Sequence, residues 1–377
     1  MPQFYFLNFE ETKVLFKILK SGGIKDARFV GGCVRDFLLG KTTNDFDIAV
    51  NAPIKHVIEI LKKNNVKYLK PRVKYGFVIV VIGKKSFDLT SLRTDVQCYG
   101  RHCDIEPSSD YIEDAKRRDF TINAMYVSKE GDFFDYFQGE DDLKNRKVTF
   151  IGNPIDRIME DALRILRYYR FCAYLGDYSH SYSEILQKAA HLVNNLSIER
   201  LQNELLKTIY SNIIINMMYH DGILQRLSED ISIDSFNRIK DIETTDIIRL
   251  CSLFSFEFIL NVLKLKKTQK QLILEYKKFL HESLEYCFYK NGEQFAQDIA
   301  IVKLAKLNIP IDFNKNFKDV GKFPLSYQNL PKNFKNASKI LQKCEKWWVN
   351  NKGINSKEEC LNYAVNISNE TDSISKT

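Results

Sequence analysis

Apolar and polar positions in the first 145 residues follow short strand-like and helix-like runs. ARFV (27–30) reads as a short strand of β-branched and aromatic residues, Gly31-Gly32 as a turn, CVRDFLLG as a helix closed by Gly40, and FDIAV (46–50) as a second strand. FVIVVI and SFDLTSL predict a hairpin turning at Gly83-Lys84-Lys85. Near residue 145 the period changes: RIMEDALRILRYYRFCAYL, SEILQKAAHLVNNL and IERLQNELLKTIYS carry apolar residues at helical spacing. The pattern predicts an α+β chain with a mixed-sheet head over 1–145, a helical neck over 146–215, a helical body over 216–365 and a polar, frayed tail over 366–377. Breaks at Gly152-Asn153-Pro154 and around Ser211–Asp221 mark candidate joints. The sequence shows no internal repeat and no low-complexity tract.

The second strand carries the first candidate chemistry. Residues i and i+2 of a strand point the same way, so Asp45 and Asp47 are expected on one face while Phe46 turns to the other. Two hard oxygen ligands so placed suit Mg²⁺ alongside substrate phosphates. Gly31 and Gly32 leave room for a triphosphate to approach the amides at the start of the next helix, where N–H groups and dipole favour anions. Arg35, one turn in, adds a fork of donors. A Gly-Gly turn or an Asp-x-Asp strand alone is commonplace; the combination is specific.

Further motifs follow. EDAKRRDFTINAMYV (113–127) places Arg117, Arg118 and Asp119 at a helix-to-strand junction with Asn123 beyond; alone, it reads as a solvated Arg-Arg-Asp turn of little energetic weight. IMEDALRILRYYRF (158–171) predicts one helix with Asp161 and Arg164 as i,i+3 neighbours, and Arg167 and Arg170 continuing at the same spacing. A carboxylate accepts from an exocyclic amine and a guanidinium donates to a ring nitrogen or carbonyl. Such a pair matches cytosine and adenine and leaves polar groups unpaired against uracil and guanine. The plain alternative is a helix-surface ion pair worth about 0.2–0.5 kcal/mol. Asp88, on the second hairpin strand, is a third carboxylate near the pair, a supporting residue behind it, or a solvated sheet-edge residue. The stretch from Arg93 to Glu106 reads as a long loop.

Together, G-G-x-V-R-D, D-x-D, R-R-D and E-D-x-x-R resemble the nucleotidyltransferase superfamily of DNA polymerase β, in its class II branch of CCA-adding tRNA nucleotidyltransferases and bacterial poly(A) polymerases. The resemblance implies a polymerase β-like head, two Mg²⁺ ions held by Asp45 and Asp47, and a catalytic set completed by Asp88. It implies that Gly31, Gly32, Arg35 and Arg118 meet the nucleotide, that Asp119 and Asn123 hold its sugar region, and that Asp161 and Arg164 serve as an amino-acid template for CTP and ATP. Arg167 and Arg170 bind nucleotide by the same resemblance. Arg93, Asp95 and Arg101 match the flexible loop of CCA-adding enzymes. FPLSYQNL followed by LQKCEKWWVNNKG resembles the C-terminal element of short bacterial CCA-adding enzymes, without the glycines usual between the two blocks.

The implied activity is template-independent addition or repair of the 3′-terminal CCA of tRNA, with CTP and ATP as substrates, tRNA as partner, and no membrane or protein partner. Poly(A) polymerase shares the head motifs, but VKYGFVIV stands where its Arg-rich block is expected. A partial enzyme adding only CC or only A is a further alternative. A catalytically silent RNA-binding protein would have eroded ligands, whereas both aspartates, Arg118, Asp161 and Arg164 all stand. His220-Asp221 lacks the second His and Asp of a metal phosphohydrolase.

Composition fits this picture. A chain of 377 residues predicts two or three domains, and its net charge of +8 suits a polyanionic partner. Lysines gather over 264–278 (Lys264, Lys266, Lys267, Lys270, Lys277, Lys278) and again over 312–346, as solvated faces or as phosphate contacts. The eight cysteines form no C-x-x-C pair, which predicts reduced thiols rather than a disulfide frame or zinc site. Glu10, Glu11 and Lys13 interrupt any signal peptide and no apolar run spans a bilayer, so a cytoplasmic location is expected.

Overall fold

The computed structural model describes residues 4–73, 76–99, 102–312, 316–332, 334 and 336–374. Two compact units divide it, Met1–Glu229 and Asp230–Thr377. The first unit opens with α1 (Glu10–Ser21), β1 (Ala27–Val30), α2 (Gly32–Leu38), β2 (Asp47–Val50), α3 (Ile54–Lys63), β3 (Lys67–Arg72), β4 (Phe77–Ile82) and β5 (Lys85–Ser91). It continues with β6 (Arg93–Tyr99), β7 (His102–Pro107), α4 (Tyr111–Lys116), β8 (Met125–Ser128), β9 (Phe133–Asp135) and α5 (Gly139–Lys144).

Seven strands make one mixed sheet in the order β3-β4-β5-β2-β1-β8-β9. β2 and β5 run parallel with Asp47 opposite Asp88, and every other neighbouring pair is antiparallel. The β4–β5 turn is tight, with Ile82 paired to Lys85 across Gly83-Lys84. Helices α1 and α3 pack on the sheet at β4. Beneath them, Phe6, Phe29, Phe46 and Phe87 form a continuous aromatic core, Phe46 lying 6.0 Å from Phe6 and 5.8 Å from Phe87 between ring centroids. Burying each such ring contributes about 1.5–3 kcal/mol. Phe46 therefore faces the core, and its neighbour Asp47 has to face away from it.

The helical part of the first unit comprises α6 (Pro154–Glu160), α7 (Leu163–Leu175), α8 (Ser183–Ala189), α9 (Ile198–Thr208) and α10 (Asn212–His220). Asn153 caps α6 by accepting from the Ile155 N–H at 3.1 Å, with Pro154 in the first turn, and Gly176 closes α7 at φ +76°. Two expectations are corrected. The helix expected through 158–171 ends at Glu160 and restarts at Leu163, because Asp161 takes an extended backbone (φ −152°, ψ 105°) and its side chain accepts from the Leu163 N–H at 3.1 Å. The joint expected around Ser211–Asp221 is helix α10, whose Ile214, Ile215, Met217 and Met218 are buried at helical spacing.

Asp221, at the end of α10, is almost wholly buried and gathers three helices. It accepts from Tyr169 Oη at 2.7 Å and Gln187 Nε2 at 3.3 Å, and from the Ser183 hydroxyl; His220 Nδ1 lies 3.0 Å away. The His-Asp pair thus has a packing role.

The second unit is helical: α11 (Ile233–Asn237), α12 (Asp246–Leu253), α13 (Phe256–Val262), α14 (Lys267–Phe279), α15 (Leu284–Asn291), α16 (Glu293–Leu307), α17 (Ala337–Asn350) and α18 (Lys357–Ile374). Helix α16 packs against α11, α12, α14 and α15 and buries Phe295, Ala296, Ile299 and Val302. The tail expected to fray from residue 366 instead continues as α18 to Ile374, since Cys360, Ala364 and Ile367 recur at helical spacing and are buried, and Trp347 of α17 stacks on Tyr363 at 4.3 Å. Among the described residues no helix is long and apolar enough to cross a membrane.

Replacing Asp221 with Ala strands the Tyr169 and Ser183 hydroxyls in a buried site, and is expected to lower stability by about 2–4 kcal/mol. Urea denaturation followed by circular dichroism measures this; a midpoint matching the parent would contradict the packing role.

Candidate active site

Three of the carboxylates singled out in the sequence, Asp45, Asp47 and Asp88, gather at one end of the parallel β2–β5 pair. Asp47 begins β2, and Asp88 sits opposite it on β5. Asp45 precedes the strand rather than lying in it, a correction to the expected same-strand placement. The pairing of β2 with β1 reaches only Ile48, because β1 ends at Val30 and the chain turns at Gly31. The lead-in is nevertheless fixed: Tyr5 Oη accepts from the Thr43 N–H at 2.8 Å, Thr43 Oγ1 accepts from the Asp45 N–H at 3.1 Å, and the Asp88 N–H donates to the Phe46 carbonyl at 2.8 Å. Asp45 stands exposed.

These carboxylates sense one another. Burial pushes the Asp47 carboxyl up; Arg118 opposes this, Asp45 and Asp88 add to it and Arg35 opposes again, leaving it at about 6. Burial and Asp45 also raise Asp88. The site is therefore short of positive charge at Asp47. Among the described residues no three acidic, histidine or cysteine side chains are already gathered as a metal cage.

Gly31 makes the closest turn beside this cluster. Its φ is +75°, and a Cβ there would stand 3.5 Å from Arg118 Nη1, 3.6 Å from the Asn123 carbonyl and 3.9 Å from Asp47 Oδ2. Gly31 thus holds open a small gap between a guanidinium and a carboxylate. Gly32 begins α2 with Arg35 Nη2 at 3.7 Å from its Cβ position. Arg35 does not reach out as an open fork: it is buried, donates to Asn123 Oδ1 at 2.6 Å and Asp36 Oδ1 at 2.8 Å, and lies 5.0 Å from the ring centres of Phe171 and Tyr174.

The Arg-Arg-Asp block is no solvated turn. Asp119 and Asn123 are both buried, and Asp119 accepts from Asn123 Nδ2 at 3.0 Å and from Arg167 Nε at 2.6 Å. Burial works to raise the Asp119 carboxyl, but Arg167 and Asn123 outweigh it and hold it low. Arg118 is anchored by Asp114, which the sequence reading passed over. Burial would raise Asp114, yet Arg118 and Arg117 hold it down at about 2. The spacing of Asp114 to Arg117 and Arg118, three and four residues, was the available signal.

Asp161 and Arg164 flank the helix break and are not paired with each other. Asp161 Oδ2 accepts from Arg200 of α9 at 2.6 Å. Arg164 Nη1 donates to Glu160 at 2.6 Å and to the Arg157 carbonyl at 2.8 Å, and its Nη2 to the Arg117 carbonyl at 3.1 Å. Arg200 and Glu160 are further partners that periodicity alone did not single out. Arg170 points toward Glu204 at 3.3 Å, and Phe171 lies 5.3 Å and 5.0 Å from the guanidiniums of Arg167 and Arg170. The stretch expected as a loop forms a separate two-stranded antiparallel hairpin, β6–β7, pairing from Arg93 with Pro107 to Tyr99 with His102 with a register shift between Asp95 and Gln97; Asp95 pairs with Ile105, and Arg101 lies outside the described residues.

Forcing an L side chain to φ +75° costs about 1–3 kcal/mol. Gly31→Ala is expected to show that loss in urea denaturation, and an unshifted midpoint would contradict the constraint.

Residues 27–149 match the family model of the poly A polymerase head domain. Over 253 residues the chain is 34% identical to the mouse mitochondrial CCA tRNA nucleotidyltransferase 1, covering 64% of this chain and 58% of that protein. It is 38% identical over 199 residues to the CCA-adding enzyme of Oceanobacillus iheyensis, covering 52% of this chain and 48% of that one. The chain spans about half the length of the curated relatives it matches. Among solved structures, the Bacillus stearothermophilus CCA-adding enzyme in complex with CTP superposes with a TM-score of 0.67 at 22% identity, covering 99% of this chain and 100% of that one. A tRNA nucleotidyltransferase complexed with primer tRNA and an incoming ATP analog gives 0.61 at 24% identity, covering 78% of this chain and 94% of that one. Residues 27–149 are thus similar to a poly A polymerase head domain, in a chain whose fold is like that of the Bacillus stearothermophilus CCA-adding enzyme.

Proposed function

We propose that this chain is a template-independent RNA nucleotidyltransferase that builds or repairs the 3′-terminal CCA of tRNA from CTP and ATP. The observation that carries it is the juxtaposition of Asp47 and Asp88 across the parallel pair, with Asp45 beside them and Arg118 Nη1 at the Gly31 turn. The relatives named as CCA-adding enzymes support the same substrates. The 3′-hydroxyl oxygen of tRNA attacks the α-phosphorus, the bond to the bridging oxygen breaks and pyrophosphate leaves.

The donor set suits divalent cations: hard carboxylate oxygens with a deficit of positive charge at Asp47. Asp45 and Asp47 would hold Mg²⁺ ions, which when bound supply charge for the phosphates and favour ionisation of the attacking hydroxyl. Asp88 supports them from β5. Arg118 meets the triphosphate in the gap beside Gly31, and Arg35, Asp119 and Asn123 form the wall that fixes Arg167 and the sugar region.

Base choice falls to Asp161 and Arg164. A carboxylate has about four lone-pair sites, so Asp161, using one on Leu163 and one on Arg200, keeps acceptor capacity for the amine of cytosine or adenine. The β6–β7 hairpin, next in the chain after the strand of Asp88, reshapes this edge between C and A addition. The lysines of 264–278 in the second unit meet RNA phosphates. A cytoplasmic location is part of this reading and rests on cysteines that stay free, six of them among the described residues.

The direct test offers tRNA ending before, within and after CCA together with all four nucleotide triphosphates, one of them labelled at a time. Three additions followed by arrest are expected, and Asp47→Ala should abolish them while tRNA affinity stays close to the parent value. An unlimited A tail would make the chain a poly(A) polymerase, and no incorporation from any nucleotide would overturn the proposal.

Asp161→Ala removes the acceptor for the exocyclic amine and should reduce the preference for CTP over UTP by about tenfold or more. Relative kcat/KM for the four nucleotides measures this, and unchanged discrimination would move base selection to other residues.

A further inference from the structure

We propose that Asp114 is a positioning residue for nucleotidyl transfer, one that clamps Arg118 from beneath so that a single guanidinium nitrogen faces the nucleotide. This rests on the function proposed above. Asp114 lies on α4 and is 0% exposed. Its two oxygens divide the work. Oδ1 accepts from Arg117 Nε at 2.9 Å and Nη2 at 2.6 Å. Oδ2 accepts from Arg118 Nη2 at 3.0 Å and Nε at 3.3 Å, and from Tyr126 Oη at 2.8 Å.

Tyr126, fully buried on β8, closes the clamp. Its hydroxyl accepts from Arg118 Nε at 3.1 Å while donating to Asp114. The Nε–Nη2 edge of Arg118 is thereby turned inward and used up. Its Nη1 is left pointing to the Asn123 carbonyl at 3.4 Å and to the Gly31 gap. The long guanidinium stem, rich in rotamers when unconstrained, is reduced to one arrangement before any substrate arrives. Asp114 also supplies the counter-charge that lets two consecutive arginines pack together.

Only a carboxylate does this. Asparagine at 114 would keep the shape and one acceptor oxygen, yet would turn an N–H toward one of the two guanidiniums and remove the charge that holds both. Asp114→Asn should therefore release Arg118, raising KM for CTP and ATP by about tenfold or more with kcat within about threefold of the parent, since binding rather than chemistry is lost. Tyr126→Phe removes one bond of the clamp without removing charge, and should raise KM by about threefold. Because Asp114 acts through Arg118, the double variant Arg118→Ala/Asp114→Asn should be no worse than Arg118→Ala alone.

The measurement is steady-state addition to tRNA lacking CCA, on the full chain, with tRNA affinity and thermal melting recorded for each variant. Elevated KM in both single variants, unchanged tRNA affinity and a non-additive double variant support the proposal. Parent-like KM in Tyr126→Phe and Asp114→Asn, or additive losses in the double variant, overturn it. Should Asp114→Asn fail to fold, Tyr126→Phe decides alone by the same criterion. A parent protein that adds no nucleotide at all overturns the nucleotidyltransferase reading itself, and this inference with it.

Discussion

The buried ion pair between Asp119 and Arg167 is the constraint on which the first unit depends. Asp119 follows α4 and leads into the sheet, and Arg167 lies in the middle of α7, so their contact of 2.6 Å is one of those that join the strand-bearing and helical parts. Asp119 is buried while the Arg167 side chain keeps 30% of its surface exposed, so losing Arg167 leaves a buried carboxylate without its counter-charge and costs more than a surface bridge of about 0–1 kcal/mol. The pair does not act alone. Asn123 donates to Asp119 and accepts from Arg35, Arg35 holds Asp36, and Asp36 accepts from Tyr174 Oη at 2.7 Å. Phe171 fills the space between the guanidiniums of Arg35, Arg167 and Arg170. Every link in that chain fixes the distance from the Asp47 end of the sheet to the Asp161 break.

Burial and charge compete in opposite directions at two neighbouring carboxylates. Asp114 and Asp47 both lie in poor contact with water, and both face Arg118. Asp114 has two guanidiniums and a phenol to itself, and its carboxyl is held low. Asp47 shares Arg118 at longer range and has Asp45 and Asp88 for neighbours, and its carboxyl is driven up. One group is satisfied internally and is therefore scaffold. The other has no such counter-charge to itself.

Much of this was legible in the sequence, and the misses share a cause. Strand alternation placed Phe46 and Asp47 on opposite faces, but the parallel pairing that sets Asp88 opposite Asp47 is a long-range feature that periodicity did not give. Periodicity could not show where β2 starts, since that depends on where its partner β1 turns away at Gly31. It could not show the break at Asp161, because ALRILRYYRF has helical spacing on both sides of it, and the interruption comes from a side chain taking the place of a backbone bond. Arg35 read as an outward fork because its partners Asn123 and Tyr174 lie 88 and 139 residues further on. The α10 segment read as a joint from break signals and the C-terminal helix as a tail from its polarity, although their buried positions recur at helical spacing.

The break before α7 gives Asp161 a property that a mid-helix residue would lack. A carboxylate on a continuous surface helix rotates with its side chain, and its lone pairs sweep a cone. At the break, Oδ1 is held by the Leu163 N–H and Oδ2 by Arg200, so the plane of the carboxylate is set from two directions before a base arrives. Arg164 is fixed in the same way by Glu160 and two backbone carbonyls. A nucleic-acid template selects a base because its donors and acceptors are rigidly placed, so that a wrong partner cannot be accommodated by small adjustments. Two side chains can substitute for that rigidity only if each is held by contacts other than the one it makes to the base. Under the base-choice role proposed for them, Asp161 and Arg164 are both so held, and the break at Asp161 supplies the Leu163 N–H that fixes one of its oxygens.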